Sequence, residues 1–208
     1  MKNRLGLTFL ATGTLLLAAV SACADNDADP PPTTPATSSP TESKSPTATA
    51  STTSPTDAAT AEATAAMTDY YAVLDELRSD PSSDLKKLET VAIGAQLNAV
   101  QTLVGRQQDQ GQRQTGTTAI SELKAQSVNL DNSDPDAGKV PTVVIDVCWD
   151  VSKVDVLDES GKSIVSPTRP STGWTRYTVA NYDYAADPTS GWRVATGQDL
   201  KKTPCAAS

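Results

Sequence analysis

Asp146 and Asp150, with Tyr177 or Tyr182 further along, are the residues whose types could carry acid–base chemistry: a carboxylate to take a proton and a phenol to give one. Their spacing argues against that use. Val143, Ile145, Val147, Trp149 and Val151 alternate with Val144, Asp146, Cys148, Asp150 and Ser152. This is the period-two pattern of a strand with one apolar face. Alternation sets both aspartates on the opposite side, where a carboxylate is expected to stay solvated and ionised. The chain contains no histidine, which removes the commonest general base at neutral pH and the commonest neutral metal ligand. Ser-His-Asp and Cys-His sites cannot be built, and no catalytic residue, cofactor or metal ligand is assigned. Gly161-Lys162-Ser163 imitates the end of a phosphate-binding loop, but Val156 stands where the upstream glycine is required, so the segment reads as a hairpin turn. Trp149, Trp174 and Trp192 fall on three expected strands and could grip an apolar or glycan ligand, although core packing is the ordinary use of such residues.

The three cysteines carry a different chemistry. Lys2 and Arg4 precede an uncharged run, Leu5 to Val20, that ends in small residues and is too short for a stable membrane span. Val20-Ser21-Ala22-Cys23 then resembles the bacterial lipobox, in which the cysteine thiol receives diacylglycerol before the leader is cut and the cysteine becomes residue one. Residues 1–22 are thus expected to be a lipoprotein signal peptide and Cys23 the lipidation site, held by two or three acyl chains of the palmitate type, enough for stable anchoring. An ordinary signal peptide with an incidental cysteine is the alternative. Lipidation of Cys23 leaves Cys148 and Cys205 as a pair, and an exported protein favours a disulfide between them. Such a bond closes a loop of about 57 residues and stabilises by roughly 4 kcal/mol on the chain-entropy model. Two free thiols and an intermolecular bridge are the competing arrangements.

Residues 23–57 hold the lipidated cysteine and a Ser/Thr/Pro-rich stretch with no aromatic or large aliphatic residue. Such a composition cannot bury enough apolar surface to offset ordering, so a disordered linker is expected, spanning roughly 30 Å as a coil and about 100 Å at full polyproline extension. O-glycosylation of this stalk is a compositional possibility beside a plain spacer. Lys and Arg number 17 against 25 Asp and Glu, a net of −8 that becomes more negative when the leader takes Lys2 and Arg4 with it. That balance argues against nucleic acid and anionic surfaces as partners.

Residues 58–208 are left for one globular domain. Met67, Tyr70, Tyr71, Leu74 and Leu77 recur along one helix face, with Thr68, Asp69, Asp75 and Glu76 on the other, read as solvated together with Lys86 and Lys87. Asp80-Pro81 should end that helix. Ser82, Ser83 and Asp84 offer caps for a short helix carrying Leu85, Leu88 and Val91, and Gly94 divides it from a third helical segment with Leu97, Val100, Leu103 and Val104. The second half turns to strands: Thr117 to Leu130, the Val143 run continuing through Val154 and Val156 to a turn at Gly161, then Trp174 to Tyr184 and Trp192 to Thr196. In the Trp174 strand, Trp174, Ala180 and Tyr182 compete with Tyr177 and Val179 for the buried face. Helices followed by antiparallel strands give an α+β order, N-terminal helices packed on a curved antiparallel sheet.

With its lipobox, its Ser/Thr/Pro stalk, the Tyr70-Tyr71 helix and the late Gly191-Trp192-Arg193-Val194 strand, the chain resembles actinobacterial secreted lipoproteins whose C-terminal domain is similar to the NTF2-like cone. The departure is between Leu130 and Val143, where such domains often place a helix and none is expected. The lipobox places the domain, by expectation, on the extracytoplasmic face of the cell membrane, and the missing catalytic residue types favour a cone-shaped domain that binds an envelope protein or an apolar small ligand without catalysis. The resemblance keeps open a carboxylate- and tyrosine-dependent enzyme of isomerase or cyclase type.

Overall fold

A computed structural model describes residues 53–206, so the expected leader, the lipidation site Cys23 and all but the end of the expected stalk lie outside the described residues. Helix α1 spans Pro55–Ser79 and begins before the expected boundary at residue 58. The reason is local. Ser54 accepts the Asp57 backbone N–H at 3.1 Å and donates its hydroxyl to the Asp57 carboxylate at 2.7 Å, while Pro55 starts the helix with its φ already set. Asp80, extended at φ −124° and ψ 102°, ends it before Pro81. A 3-10 helix, Leu85–Thr90, is capped by Asp84, and α2 follows at Gly94–Asp109.

Among the described residues six strands follow: β1 (Arg113–Thr115), β2 (Ala119–Asn129), β3 (Thr142–Asp150), β4 (Asp155–Leu157), β5 (Thr172–Asn181) and β6 (Trp192–Leu200). The main sheet is antiparallel throughout, in the order β2-β3-β5-β6, and both α-helices contact it, an α+β architecture. Register shifts in the β2–β3 and β5–β6 pairs are of the kind that bends strands. Between β2 and β3 lies a three-residue 3-10 turn, Pro135–Ala137.

One expectation fails at β4. Val154 and Val156 do not prolong β3; the chain turns away after Asp150, and β4 pairs with β1 in a separate two-stranded sheet. Ser152 N–H donates to Asp150 Oδ1 at 2.7 Å, and Arg169 Nη2 donates to the Val151 and Val154 carbonyls, which fixes the bend. Gly116, at φ +74°, fits against this bend because a Cβ there would stand 2.0 Å from the Lys153 carbonyl oxygen.

The core lies between the helices and one face of the sheet. Met67, Tyr70, Leu74 and Leu77 from α1 and Val104 from α2 pack with Val143, Ile145, Val147, Val179 and Val194. Full burial of each aliphatic side chain stabilises by about 1.5–3 kcal/mol. Ile145 opposite Tyr177 and Val143 opposite Val179 put Tyr177 and Val179 on the helix side, which decides the face of β5. Trp174 takes the other side, opposite Cys148, and Tyr182 lies beyond the strand, exposed.

That other side is not the solvated surface expected for Asp146 and Asp150, for each is only 3% exposed. The C-terminal tail crosses it. Cys205 is disulfide-bonded to Cys148 with Cα atoms 6.1 Å apart, and its carbonyl accepts from Thr172 Oγ1 at 3.0 Å. Lys202 reaches Asp146 Oδ2 at 3.2 Å and lies 3.8 Å from the centroid of the Trp174 ring. Arg176 holds the same carboxylate through two hydrogen bonds, Nε to Oδ1 at 2.6 Å and Nη2 to Oδ2 at 3.0 Å. These cations hold the Asp146 carboxyl below its usual range, the Arg176 hydrogen bond acting most strongly, so it is ionised as expected although covered.

Candidate functional site

The helix side of the sheet carries a groove of about 430 Å³, walled by α1, α2, the end of β3, β5 and the Arg169-Pro170 loop. Three tyrosines form its floor. Tyr70 and Tyr71 are neighbours on α1, and Tyr177 comes from the middle of β5; their ring centroids are 5.7–6.2 Å apart in edge-to-face pairs. The Tyr71 and Tyr177 hydroxyls share a hydrogen bond of 3.0 Å, and Tyr70 Oη accepts from Gln96 Nε2 of α2 at 2.5 Å. Gly197 of β6 leaves room for this cluster, because a Cβ there would stand 2.8 Å from Tyr177 Cε1 and 3.0 Å from Gln96 Oε1. Burial, together with mutual repulsion among the phenolates that would form, raises the Tyr70 and Tyr71 pKa values well above the ordinary phenol value. Burial raises that of Tyr177 as well. The phenols are neutral at physiological pH and serve as hydrogen-bond donors rather than proton acceptors.

The walls are largely apolar, with Leu74 and Val100 on the helices, Leu103 at the rim with 47% of its surface exposed, and Trp149 and Val151 across from them; Arg78 and Arg169 are the charged residues of the lining. Trp149 is held by its indole N–H donating to Thr175 Oγ1 at 3.1 Å, and that hydroxyl donates in turn to Asp199 Oδ1 at 2.8 Å.

A second cavity, about 690 Å³, opens between α1 and β2. Asp75 borders it, which corrects its reading as part of a solvated helix face: the residue is buried, 9% exposed. Its Oδ1 accepts from Gln114 Nε2 at 2.7 Å and Thr118 Oγ1 at 2.9 Å, and its Oδ2 from the Thr118 backbone N–H at 2.7 Å. Glu76, by contrast, is exposed and ion-paired with exposed Lys87.

The residues singled out for acid–base chemistry do not meet. Asp146 is on the outer face of the sheet, committed to Arg176 and Lys202, while Tyr177 projects into the groove on the inner face. Tyr182 is exposed on the β5–β6 turn. Nor do the tryptophans line one cavity. Trp149 borders the groove; Trp174 lies under Lys202 on the outer face. Trp192 is buried edge-on to Tyr184, with its indole N–H donating to the Pro188 carbonyl at 3.0 Å. Gly161, at φ +83°, turns the Asp158–Lys162 hairpin, whose phosphate-loop likeness ends there. Among the described residues no group of three or more His, Cys, Asp or Glu is placed to hold a metal ion, and no helix is long and apolar enough to cross a membrane.

Sequence reasoning passed over Arg78, Gln96 and Gly197, which shape the groove, and Gln114, which fixes Asp75. Gln96 stands two positions into α2, a spacing that could have marked it as facing Tyr70 only had the packing of the two helices been known.

No family model matches the chain, and no curated protein matches it. Among solved structures 17 chains match. One is the intermembrane space region of the chloroplast protein ARC6, to which this chain is similar at 19% identity and a TM-score of 0.45, over 69% of this chain and 96% of that one.

Proposed function

We propose that this chain is an extracytoplasmic lipoprotein, anchored through acylated Cys23, whose α+β domain is a non-catalytic binding module. In this reading the domain is of the NTF2-like kind, with the helix-side groove as its binding surface for a small ligand or a partner's side chain at the cell envelope. The observation that carries the reading is the makeup of the groove: apolar walls, an exposed leucine at the rim and phenols held neutral by burial, with no Asp or Glu in its lining among the described residues. A carboxylate–tyrosine enzyme needs a carboxylate in that cavity within hydrogen-bond reach of the reacting group. The buried aspartates Asp75 and Asp146 are instead saturated with donors elsewhere.

The disulfide between Cys148 and Cys205 supports an oxidising, extracytoplasmic compartment. Two measurements test the two parts of the reading. Labelled palmitate should enter the wild-type chain and not Cys23→Ala, and the variant should leave the membrane fraction; unlabelled wild type contradicts the anchor. Mass spectrometry of the chain purified under native conditions should show a co-purifying ligand or partner that is lost when Leu103→Glu places a charge at the groove rim.

A further inference from the structure

Arg78 and Arg193 are half-buried arginines whose Nε–H meets no acceptor, and of the two only Arg78 lines the groove. It lies in the last turn of α1, where its charge is favoured by the helix dipole, yet its Nε–H is buried and meets no hydrogen-bond acceptor. Among the described residues it has no ion pair. That nitrogen is closed to solvent, so what Arg78 offers the groove is the Nη edge of its guanidinium, for which no acceptor stands among the described residues. Arg78 lines the groove, and its charge acts on all three phenols, pulling their pKa values down against the larger effect of burial.

The phenols share the surplus of donors. Tyr70 Oη accepts from Gln96, and no described acceptor takes its own proton. Across the groove Arg169 adds a second guanidinium, although its Nη2 is already committed to the Val151 and Val154 carbonyls. Asp199, the carboxylate whose charge is felt at Tyr177, is turned to Thr175. Two guanidinium groups and no carboxylate therefore line a groove in a chain whose net charge is −8.

We propose that the groove binds a small monocarboxylate with an apolar body, the carboxylate taken by Arg78 and the body by Trp149, Leu103 and the tyrosine rings. A guanidinium edge matches a planar carboxylate through two parallel hydrogen bonds, and one uncommitted cation calls for one negative charge. The rim leucine and Trp149 supply the apolar contact that such a ligand needs beside its head. The inference rests on the groove being a binding surface, as proposed above.

Calorimetric titration of the purified full chain with 2-naphthoate, 2-naphthamide and 2-naphthylmethylamine separates the head from the body. The acid should bind at least tenfold more tightly than the amide, and the amine most weakly. Arg78→Gln should bring the acid down to the affinity of the amide while leaving the amide within twofold. The comparison within the wild type needs no variant. Equal binding of acid and amide overturns the carboxylate assignment and leaves the groove as a binding surface, as does an acid preference that survives Arg78→Gln. Absence of binding by all three overturns both readings. A short peptide with a C-terminal aromatic residue that binds tenfold more tightly than naphthoate overturns the small-molecule assignment in favour of a chain terminus.

Discussion

Gln114, in a strand of only three residues, donates its side-chain amide to Oδ1 of Asp75 near the C-terminal end of α1, 39 positions earlier, at 2.7 Å. With Thr118 this makes Asp75 the acceptor for three donors and ties α1 to the chain entering β2. Asp75→Ala leaves those donors without an acceptor and should destabilise the domain by about 2–3 kcal/mol, whereas Asp75→Asn, which keeps one acceptor oxygen, should cost about 1 kcal/mol. Urea unfolding measures both, and equal costs would remove the hydrogen bonds as the cause.

Stability should fall in alkali because of the tyrosine cluster. Tyr70, Tyr71 and Tyr177 have folded pKa values raised above the ordinary value of 10.0. Their contribution is fully present below pH 10. As pH rises further, the unfolded chain releases these protons and the folded one does not, so each phenol takes away about 1.4 kcal/mol per pH unit. In unfolding followed from pH 9 to 11.5, Tyr71→Phe should show a shallower decline than wild type. An unchanged slope contradicts the burial of that phenol.

Asp146 acts at the opposite end of the scale. Its folded pKa is depressed, chiefly by the Arg176 hydrogen bond, so the stability it contributes is present above its ordinary value of 3.8 and is lost as pH falls through the folded value. Asp146→Asn should lower stability at pH 7 and flatten the loss of stability below pH 4. A parallel acid limb in the variant would show that the carboxylate titrates normally.

Reduction of the Cys148–Cys205 bond, which closes 57 positions of sequence, should lower stability by about 4 kcal/mol on the chain-entropy model. It should also free the tail, so that Lys202 leaves the Trp174 ring and Trp174 emission changes. Reduction without a change in unfolding midpoint contradicts this fastening of the tail to the sheet.

Local periodicity carried much of this fold in the sequence. The apolar spacing of Met67 to Leu77, the stop at Asp80-Pro81, the alternation along β3 and the Gly161 turn each depend on a few neighbouring residues, and each stands in the structure. What escaped depends on partners far along the chain. Asp75 looks solvated on a helical wheel because Gln114 and Thr118, which bury it, arrive from another element. Asp146 looks solvated by strand alternation because the tail bearing Lys202 returns from 56 positions away. β1 is three residues, Arg-Gln-Thr, with no apolar pattern to announce it. Arg78 reads as an ordinary basic residue closing a helix, and only its place in the lining of one groove with Tyr70, Tyr71 and Tyr177 gives it a different meaning. Of the groove, Trp149 and Tyr177 stood out in the sequence by residue type, while Arg78 and Gln96 and the assembly of all four did not.

In the proposed function the helix-side groove, rather than the domain surface at large, meets the ligand or partner. Leu103 at the groove rim and Tyr182 on the β5–β6 turn are each 47% exposed, so they offer matched positions for a photo-crosslinking benzoylphenylalanine in the full chain on intact cells. A discrete crosslinked adduct is expected from position 103 and none from position 182. Equal adducts from both positions, or an adduct from 182 alone, would contradict that reading.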